Sequence, residues 1–147
     1  MEIAILGLGC FWGPEIKFGK LDGVIKTEVG YCGGNNSETN YKEVCTGTTN
    51  HAEVVKLDFD PKVISYEKIL KFFFEIHNPT TLNSQGPDFG TQYRSEIFYL
   101  NDIQKEIAEN IIEKVNSNLS GKVVTKSSLL KNYSPAEEYH QRYLEKR

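Results

Sequence analysis

The chain has 147 residues, 39% of them hydrophobic and 25% charged, a composition typical of one globular domain spanning residues 1-147. Its 20 acidic residues and 17 lysines and arginines give a formal net charge of −3, so it lacks the basic excess typical of nucleic-acid binding. No apolar run approaches the roughly 18 residues of a membrane-spanning helix. The N-terminus has no evident export signal, and three cysteines are a poor basis for a disulfide framework. These features predict a cytoplasmic protein with no nucleic-acid or membrane partner.

Apolar periodicity predicts that strands and helices alternate through the first half of the chain. Short apolar or β-branched runs indicate strands at 2–6 and 24–29, and Pro14 favours a helix over 14–20 between them. Regular alternation predicts a third strand over 52–59, and Ser65 can cap the helix that follows it. The polar segment 30–50, whose only predicted helical turn is at 41–45, is long enough to be a functional loop.

The second half of the chain predicts a similar alternation. An irregular segment covers 77–94, and after it the pattern predicts a strand over 96–100, a helix capped by Asn101 or Asp102, and a last strand over 122–127. Ser134 and Pro135 open a predicted final amphipathic helix with Tyr139 and Tyr143 on one face. The order of the first six elements follows the split βαβ, ferredoxin-like arrangement. We therefore expect an α+β protein, a two-layer α/β sandwich with a mixed sheet and long irregular loops.

Cys10 lies in the sequence Gly-Cys-Phe-Trp-Gly at 9–13, where the first predicted strand gives way to a helix. Backbone N–H groups and the helix dipole at such a position favour an anion, so a stabilised thiolate is expected. A buried cysteine that acts as a small hydrophobe is the alternative. The adjacent Phe11 and Trp12 suit the wall of a pocket around an apolar group, and packing in the core is again the alternative.

Four further blocks accompany this motif along the chain. They are GYCGG at 30–34, YKEVC at 41–45 followed by HAE at 51–53, GPDFGTQYRS at 86–95, and EYHQ at 138–141. Together with the block at 9–13, they resemble the methionine sulfoxide reductase A family, in the family's order and over almost the whole chain.

The resemblance implies an oxidoreductase that reduces methionine-(S)-sulfoxide, free or in oxidised proteins, to methionine. By the family's pattern, Cys10 attacks the sulfoxide sulfur and is left as a sulfenic acid. Glu53 supplies the proton that the sulfoxide oxygen needs before it can leave. To be an acid near neutral pH, Glu53 must have its pKa raised well above the usual value of about 4.3, which requires burial.

The same resemblance assigns the residues that hold the substrate. Tyr41 and Tyr93 hydrogen-bond the sulfoxide oxygen in the manner of an oxyanion hole. Phe11 and Trp12 hold the methyl group, and Asp88 helps to position the substrate. On composition alone, the two tyrosines could equally be amphipathic packing residues.

Recycling of the enzyme is the step at which this chain departs from many members of the family. Those members use resolving cysteines in a C-terminal tail, whereas this sequence has no cysteine after Cys45. Cys32, in the glycine-rich turn, is either an internal resolving thiol or an exposed turn cysteine, and Cys45 is expected to pack. Otherwise an external thiol reductant, glutaredoxin with glutathione or thioredoxin, reduces Cys10 directly. No bound cofactor or metal is expected, and a monomer is expected.

Other functions are also open from the residues alone. A thiol hydrolase would pair Cys10 with His51 or His140 as its base. A non-catalytic module would use the aromatic pocket beside Cys10 to bind methionine-like side chains. Zinc binding by Cys32, Cys45 and His51 is poorly supported, because these residues lack any Cys-x-x-Cys spacing.

Overall fold

A mixed six-stranded sheet lies at the centre of the structure, a computed structural model that describes residues 1–146. The strands of this sheet are β1 (Glu2–Leu8), β2 (Val24–Cys32), β3 (Ala52–Phe59), β6 (Ser95–Tyr99), β7 (Lys126–Leu129) and β8 (Ser134–Pro135), and a separate hairpin consists of β4 (Ser84–Gln85) and β5 (Asp88–Phe89). The helices are α1 (Trp12–Gly19), α2 (Tyr41–Cys45), α3 (Tyr66–Glu75) and α4 (Asp102–Asn118). Short 3₁₀ helices cover Thr91–Tyr93 and Glu138–His140. No helix in residues 1–146 is both long and apolar enough to cross a membrane.

The sheet order is β7-β6-β1-β3-β2-β8, in which only β6 and β7 run parallel. The four strands β6, β1, β3 and β2, joined through α1 and α3, form the split βαβ core that the sequence predicts. The expected α+β architecture is therefore confirmed. In this topology β1 and β3 are neighbours at the centre of the sheet, with Leu6 paired to Val55.

The helices cover one face of the sheet. Strand side chains alternate between the two faces, so every second residue of a strand points toward the helices. Leu6, Val55 and Leu57 are fully buried on this face, against α3 residues such as Phe73 and α4 residues such as Ala108. The opposite face has a smaller apolar cluster around Cys32, Ala52, Val54, Ile5 and Phe98, which packs against Leu130 and Tyr133. Val54 and Val55, successive residues near the start of β3, thus point into the two different apolar clusters.

Side-chain caps define the start of three helices as the sequence suggests. Asn40, Ser65 and Asn101 each accept a hydrogen bond from the backbone N–H three residues later. Helix α1 begins at Trp12, two residues before the predicted start. Pro14 is accommodated there because N–H groups in the first turn have no partner within the helix.

The predicted final helix is wrong. Ser134–Pro135 instead forms the edge strand β8, which pairs with Gly30 and Tyr31 of β2. Beyond the 3₁₀ turn, Arg142 has a φ of +49°, a left-handed conformation that an α-helix cannot contain. Its backbone N–H bonds the carboxylate of Glu15 rather than a helical carbonyl, at 2.7 Å.

The last predicted strand is also displaced: the sequence predicts it at 122–127, and the structure has β7 at Lys126–Leu129. The N–H groups of Val123 and Val124 bond the Asn116 side chain and the Pro79 carbonyl, at 3.0 and 2.8 Å. The backbone N–H groups of these two residues, which the pattern assigned to the strand, thus bond a side chain and a loop carbonyl instead.

Candidate active site

Cys10 lies just beyond the end of β1, two residues before α1 begins. The turn requires glycine at position 9: its φ is +99°, and an added Cβ would lie 2.8 Å from the side chain of Gln85. The thiol is half-buried. Burial and the charges of Glu53 and Asp88 raise the pKa of Cys10 to about 11, although the backbone N–H of Trp12 lowers it. The prediction of a stabilised thiolate is therefore wrong for the free protein, because desolvation outweighs the favourable backbone dipole.

Glu53 lies on β3, beside the strand that leads to Cys10, and its side chain is buried at 1% exposure. One carboxyl oxygen, Oε1, accepts a hydrogen bond from the Phe11 backbone N–H at 3.3 Å. The other, Oε2, is buried without a partner in the described residues. Burial raises the pKa of Glu53 to about 8, with a further increase from the charge of Asp88. The expected increase in this pKa is confirmed, so the protonated form of the carboxyl group predominates at neutral pH, and its Oε2 makes no hydrogen bond to the described residues.

Two tyrosines approach this carboxyl group from separate loops. Tyr41 begins α2, and Tyr93 ends the 3₁₀ turn before β6. Burial and the charge of Glu53 raise the pKa of Tyr93 to about 12. Hydrogen bonding to the Cys45 thiol, followed by burial, raises the pKa of Tyr41. Both phenols therefore keep their protons at neutral pH and can act as hydrogen-bond donors.

An aromatic cluster forms the wall beside Cys10. Phe11 is buried, and its ring lies 5.3 Å from that of His140. Trp12 is half-buried; its indole stacks on Tyr143 at 3.9 Å and donates a hydrogen bond from Nε1 to His140 Nδ1 at 3.1 Å. His140 also contacts the ring of Tyr41 at 4.7 Å. The indole of Trp12 is thus fixed from two sides at the edge of the site.

Asp88 belongs to the hairpin strand β5 and is half-buried. Its charge raises the pKa values of Cys10, Glu53 and Tyr93, so it lies within electrostatic reach of all three. The seven residues that the resemblance assigns to nucleophile, acid and substrate binding are thus brought to one region by β1, β3, α2 and the 86–93 loop.

Cys32, by contrast, lies apart from this region. It pairs with Ala52 at the end of β2, whereas its neighbour Tyr31 pairs with Glu53. Cys32 therefore points to the sheet face opposite to Glu53, where it is fully buried and its thiol donates to the Lys131 carbonyl at 3.3 Å. The alternative of an exposed turn cysteine is therefore wrong, and in this structure Cys32 is a free, buried thiol on the other face of the sheet from Glu53.

Cys45 is exposed rather than packed as expected. It follows Tyr41 by four residues, which places both side chains on one face of α2. The Cys45 thiol raises the pKa of Tyr41, so it lies close to the phenol and borders the candidate site. Sequence reasoning missed this placement because one short helical turn gives no reliable indication of which face is buried.

The two histidines considered as bases for a thiol hydrolase have other partners. His51 Nδ1 accepts from the Gly34 N–H at 3.1 Å, and its Nε2 bonds the Asn36 carbonyl at 2.8 Å, so its ring holds the 34–36 loop. His140 uses Nδ1 to accept from Trp12, which leaves the proton on Nε2. Within the described residues, no hydrogen bond joins either ring to Cys10.

Glu137 and Gln141 are supporting residues that the sequence reasoning missed. The Glu137 carboxylate accepts from the Tyr31 hydroxyl at 2.8 Å and from the Tyr41 backbone N–H at 2.9 Å. The Gln141 side chain bonds both backbone groups of Val29, each at 2.9 Å. These contacts attach the C-terminal segment to β2 and α2. The EYHQ block at 138–141 contains Gln141 but not Glu137, and the predicted helix gave no indication of either contact.

Comparisons with known proteins are consistent with this arrangement. A family model described as peptide methionine sulfoxide reductase matches residues 2–147. The chain is 84% identical to the peptide methionine sulfoxide reductase MsrA of Pelagibacter ubique (strain HTCC1062), over 147 residues and 100% of both chains. It is 49% identical to the peptide methionine sulfoxide reductase of Solanum lycopersicum, over 99% of this chain and 75% of the tomato protein.

Solved structures give the same match. The structure is similar to reduced Mxr1 from Saccharomyces cerevisiae, with a TM-score of 0.93 and 43% identity over 99% of this chain and 85% of that one. It is also similar to methionine sulfoxide reductase A of Corynebacterium diphtheriae, with a TM-score of 0.88 and 35% identity over 99% of this chain and 74% of that one. A further similar structure, with a TM-score of 0.68 and 29% identity over 97% of this chain and 84% of that one, is yeast Mxr1 in complex with Trx2.

Proposed function

We propose that this chain, which belongs to the peptide methionine sulfoxide reductase family, reduces methionine-(S)-sulfoxide, free or in oxidised proteins, to methionine. The observation that carries the proposal is the pairing of Cys10 with a buried, protonated carboxyl group. Glu53 bonds the backbone of the residue after Cys10 and keeps its second oxygen without a partner. A sulfoxide supplies the complement of this pair, an electrophilic sulfur for the thiol and a basic oxygen for the acid.

The aromatic wall supports a specific orientation of the substrate. Phe11 is buried in the core next to Cys10 and Trp12 packs against that core, so we propose that these rings form the apolar side of the site, where a methyl group can be received without loss of hydrogen bonds. Tyr41 and Tyr93 keep their hydroxyl protons, so they can donate to the sulfoxide oxygen on the side of Glu53. We propose that the Asp88 carboxylate positions the substrate by contact with the polar groups of the substrate.

The protonation states define the sequence of proton transfers. In the free protein at neutral pH, Cys10 and Glu53 are both protonated. The Cys10 sulfur attacks the sulfoxide sulfur, Glu53 gives its proton to the oxygen, and the thiol proton returns to the Glu53 carboxylate. The hydroxyl group then moves from the substrate sulfur to the Cys10 sulfur: the substrate S–O bond and the new S–S bond break, an S–O bond forms on Cys10, and methionine leaves with the electron pair of the S–S bond, so that Cys10 is left as a sulfenic acid. Thiol and sulfoxide are thus converted into sulfenic acid and sulfide with all atoms and electrons balanced.

We propose that an external thiol reductant returns Cys10 to its reduced form. The yeast relative Mxr1 has been solved in complex with Trx2, which supports thioredoxin as the donor. Glutaredoxin with glutathione is the second candidate, because the Cys10 sulfur is half-buried and can be reached by a small thiol. No bound cofactor enters this cycle.

The remaining proposals concern organisation and location. We propose that residues 1-147 act as a single catalytic domain, as a monomer, without a nucleic-acid or membrane partner. A cytoplasmic location is proposed because Cys10, Cys32 and Cys45 are all free thiols and the cycle consumes a thiol reductant.

The test is incubation of the protein with the separate S and R epimers of methionine sulfoxide and dithiothreitol. We expect methionine from the S epimer only, and no methionine from the Cys10→Ser variant. Turnover of the R epimer alone, or of neither, would contradict the proposal. A binding module without catalysis would instead keep its affinity for the sulfoxide in both proteins and form no methionine.

A further inference from the structure

Arg94 connects the segment that precedes β3, the strand of Glu53, with the 3₁₀ turn that contains Tyr93. Its Nη2 donates to the backbone carbonyl of Asn50 at 3.0 Å, and its Nη1 donates to the carbonyl of Thr91 at 2.9 Å. Its Nε pairs with Glu96 Oε1 at 2.6 Å. One planar guanidinium therefore joins the segment before β3, the 3₁₀ turn and strand β6.

Both carbonyls belong to residues close to the site. Asn50 precedes Glu53 by three residues and has a φ of +60°, a left-handed conformation that asparagine adopts more readily than most other non-glycine residues. Thr91 precedes Tyr93 by two residues and opens the 3₁₀ turn that presents it. Arg94 thus holds the backbone three residues before Glu53, where β3 begins, and two residues before Tyr93.

The guanidinium is itself fixed to the centre of the sheet. Glu96 is buried at 5% exposure and pairs with Gly7 of β1, the strand that leads to Cys10. Its second carboxylate oxygen accepts from Ser128 of β7 at 2.5 Å. Since Glu96 is held from both neighbouring strands, Arg94 has a rigid anchor on the same strand pair that carries the nucleophile.

We infer that Arg94 is a positioning residue that sets the separation of Glu53 and Tyr93, so that both proton donors meet one substrate oxygen. The inference rests on the proposed function. Lysine cannot replace arginine here: an ammonium can keep the ion pair with Glu96, but it lacks the planar set of donors that reaches three acceptors in fixed directions. Charge and position can therefore be separated by one substitution.

The test compares Arg94→Lys, Arg94→Ala and wild type in single-turnover formation of methionine without a reductant. We expect Arg94→Lys to react at least tenfold more slowly while its urea unfolding midpoint stays near that of wild type. The alkaline decrease in rate that follows Glu53 ionisation should also move to lower pH, because a displaced loop admits water to the carboxyl group. Arg142→Lys is the matched control, since Arg142 forms an exposed pair with Glu145, and it should leave rate and pH profile unchanged.

Chemical rescue separates positioning from general stability. Methylguanidinium in solution should restore part of the rate of Arg94→Ala. A wild-type rate and profile in Arg94→Lys would overturn the inference, and so would a slow Arg94→Lys variant with an unshifted pH profile and no rescue of the alanine variant. Failure of the proposed function is distinguishable, because wild type itself would then form no methionine. If Arg94→Ala does not fold, the pH profile of Arg94→Lys alone decides.

Discussion

Replacing Glu53 by Gln tests the central chemical step most directly. Glutamine has the same shape and can still accept from the Phe11 N–H, but it cannot donate an acidic proton. With a pKa of about 8, the native carboxyl is protonated in about 90% of molecules at pH 7 and in about 10% at pH 9. Loss of a positioned general acid typically costs about 10²–10⁴ in rate, so we expect a decrease of that size at pH 7.

The assay is single-turnover formation of methionine from the S epimer between pH 6 and pH 10. We expect the wild-type rate to decrease about tenfold per pH unit above pH 8, because ionised Glu53 cannot donate and its charge also opposes ionisation of Cys10. The Glu53→Gln rate should show no such decrease. A variant within tenfold of wild type at pH 7 would refute the acid role. A wild-type rate that increases through pH 8 would refute the proton relay and indicate that a preformed thiolate controls the step.

Three further predictions follow from burial and hydrogen bonding. Glu53 has a higher pKa in the folded state than in the unfolded state, so folding favours its protonated form and stability is lost as pH rises above the unfolded pKa. Between pH 5 and 7, the free energy of unfolding of wild type, measured by urea unfolding, should therefore fall by about 1.4 kcal/mol per pH unit relative to that of Glu53→Gln. Parallel pH dependences of the two proteins would contradict this prediction. Trp12→Phe removes the hydrogen bond to His140, which is worth about 1 kcal/mol, so KM for methionine sulfoxide should rise about fivefold with a smaller change in kcat. An unchanged KM would show that the indole contact does not order the pocket. Because Cys32 faces away from the site, Cys32→Ala should keep turnover with an external thiol within about twofold of wild type. Mass spectrometry of dimedone-treated wild type should detect modified Cys10 and no Cys10–Cys32 disulfide.

The central part of the fold follows from local patterns in the sequence. Alternation in β3 and the caps at Asn40, Ser65 and Asn101 are local signals, and the structure bears them out. Residues 122–146 are predicted less well because their conformation depends on distant partners. Gln141 bonds the backbone of Val29 far away in sequence, and no local pattern encodes that contact.

The site shows the same division between local and distant information. The family resemblance supplied Cys10 and Glu53 as residues, but the neutral state of Cys10 depends on burial, which a motif does not reveal. The face on which Cys32 lies depends on the register of β2 with β3, since a shift of one residue would turn it toward Glu53. Arg94 was visible within the block at 86–95, yet its contact with Asn50 joins residues 44 positions apart.

The central position of β1 and β3 in the sheet has a consequence for the durability of the reaction centre. Amides at the middle of a sheet exchange with solvent only in rare, near-global openings, whereas loops fluctuate at little cost. The carboxyl group extends from β3 and Cys10 follows the neighbouring strand β1 by two residues, while the phenols come from α2 and from the 3₁₀ turn before β6. Local breathing can thus widen the rim to admit an oxidised side chain on a bulky protein without pulling the two reacting groups apart.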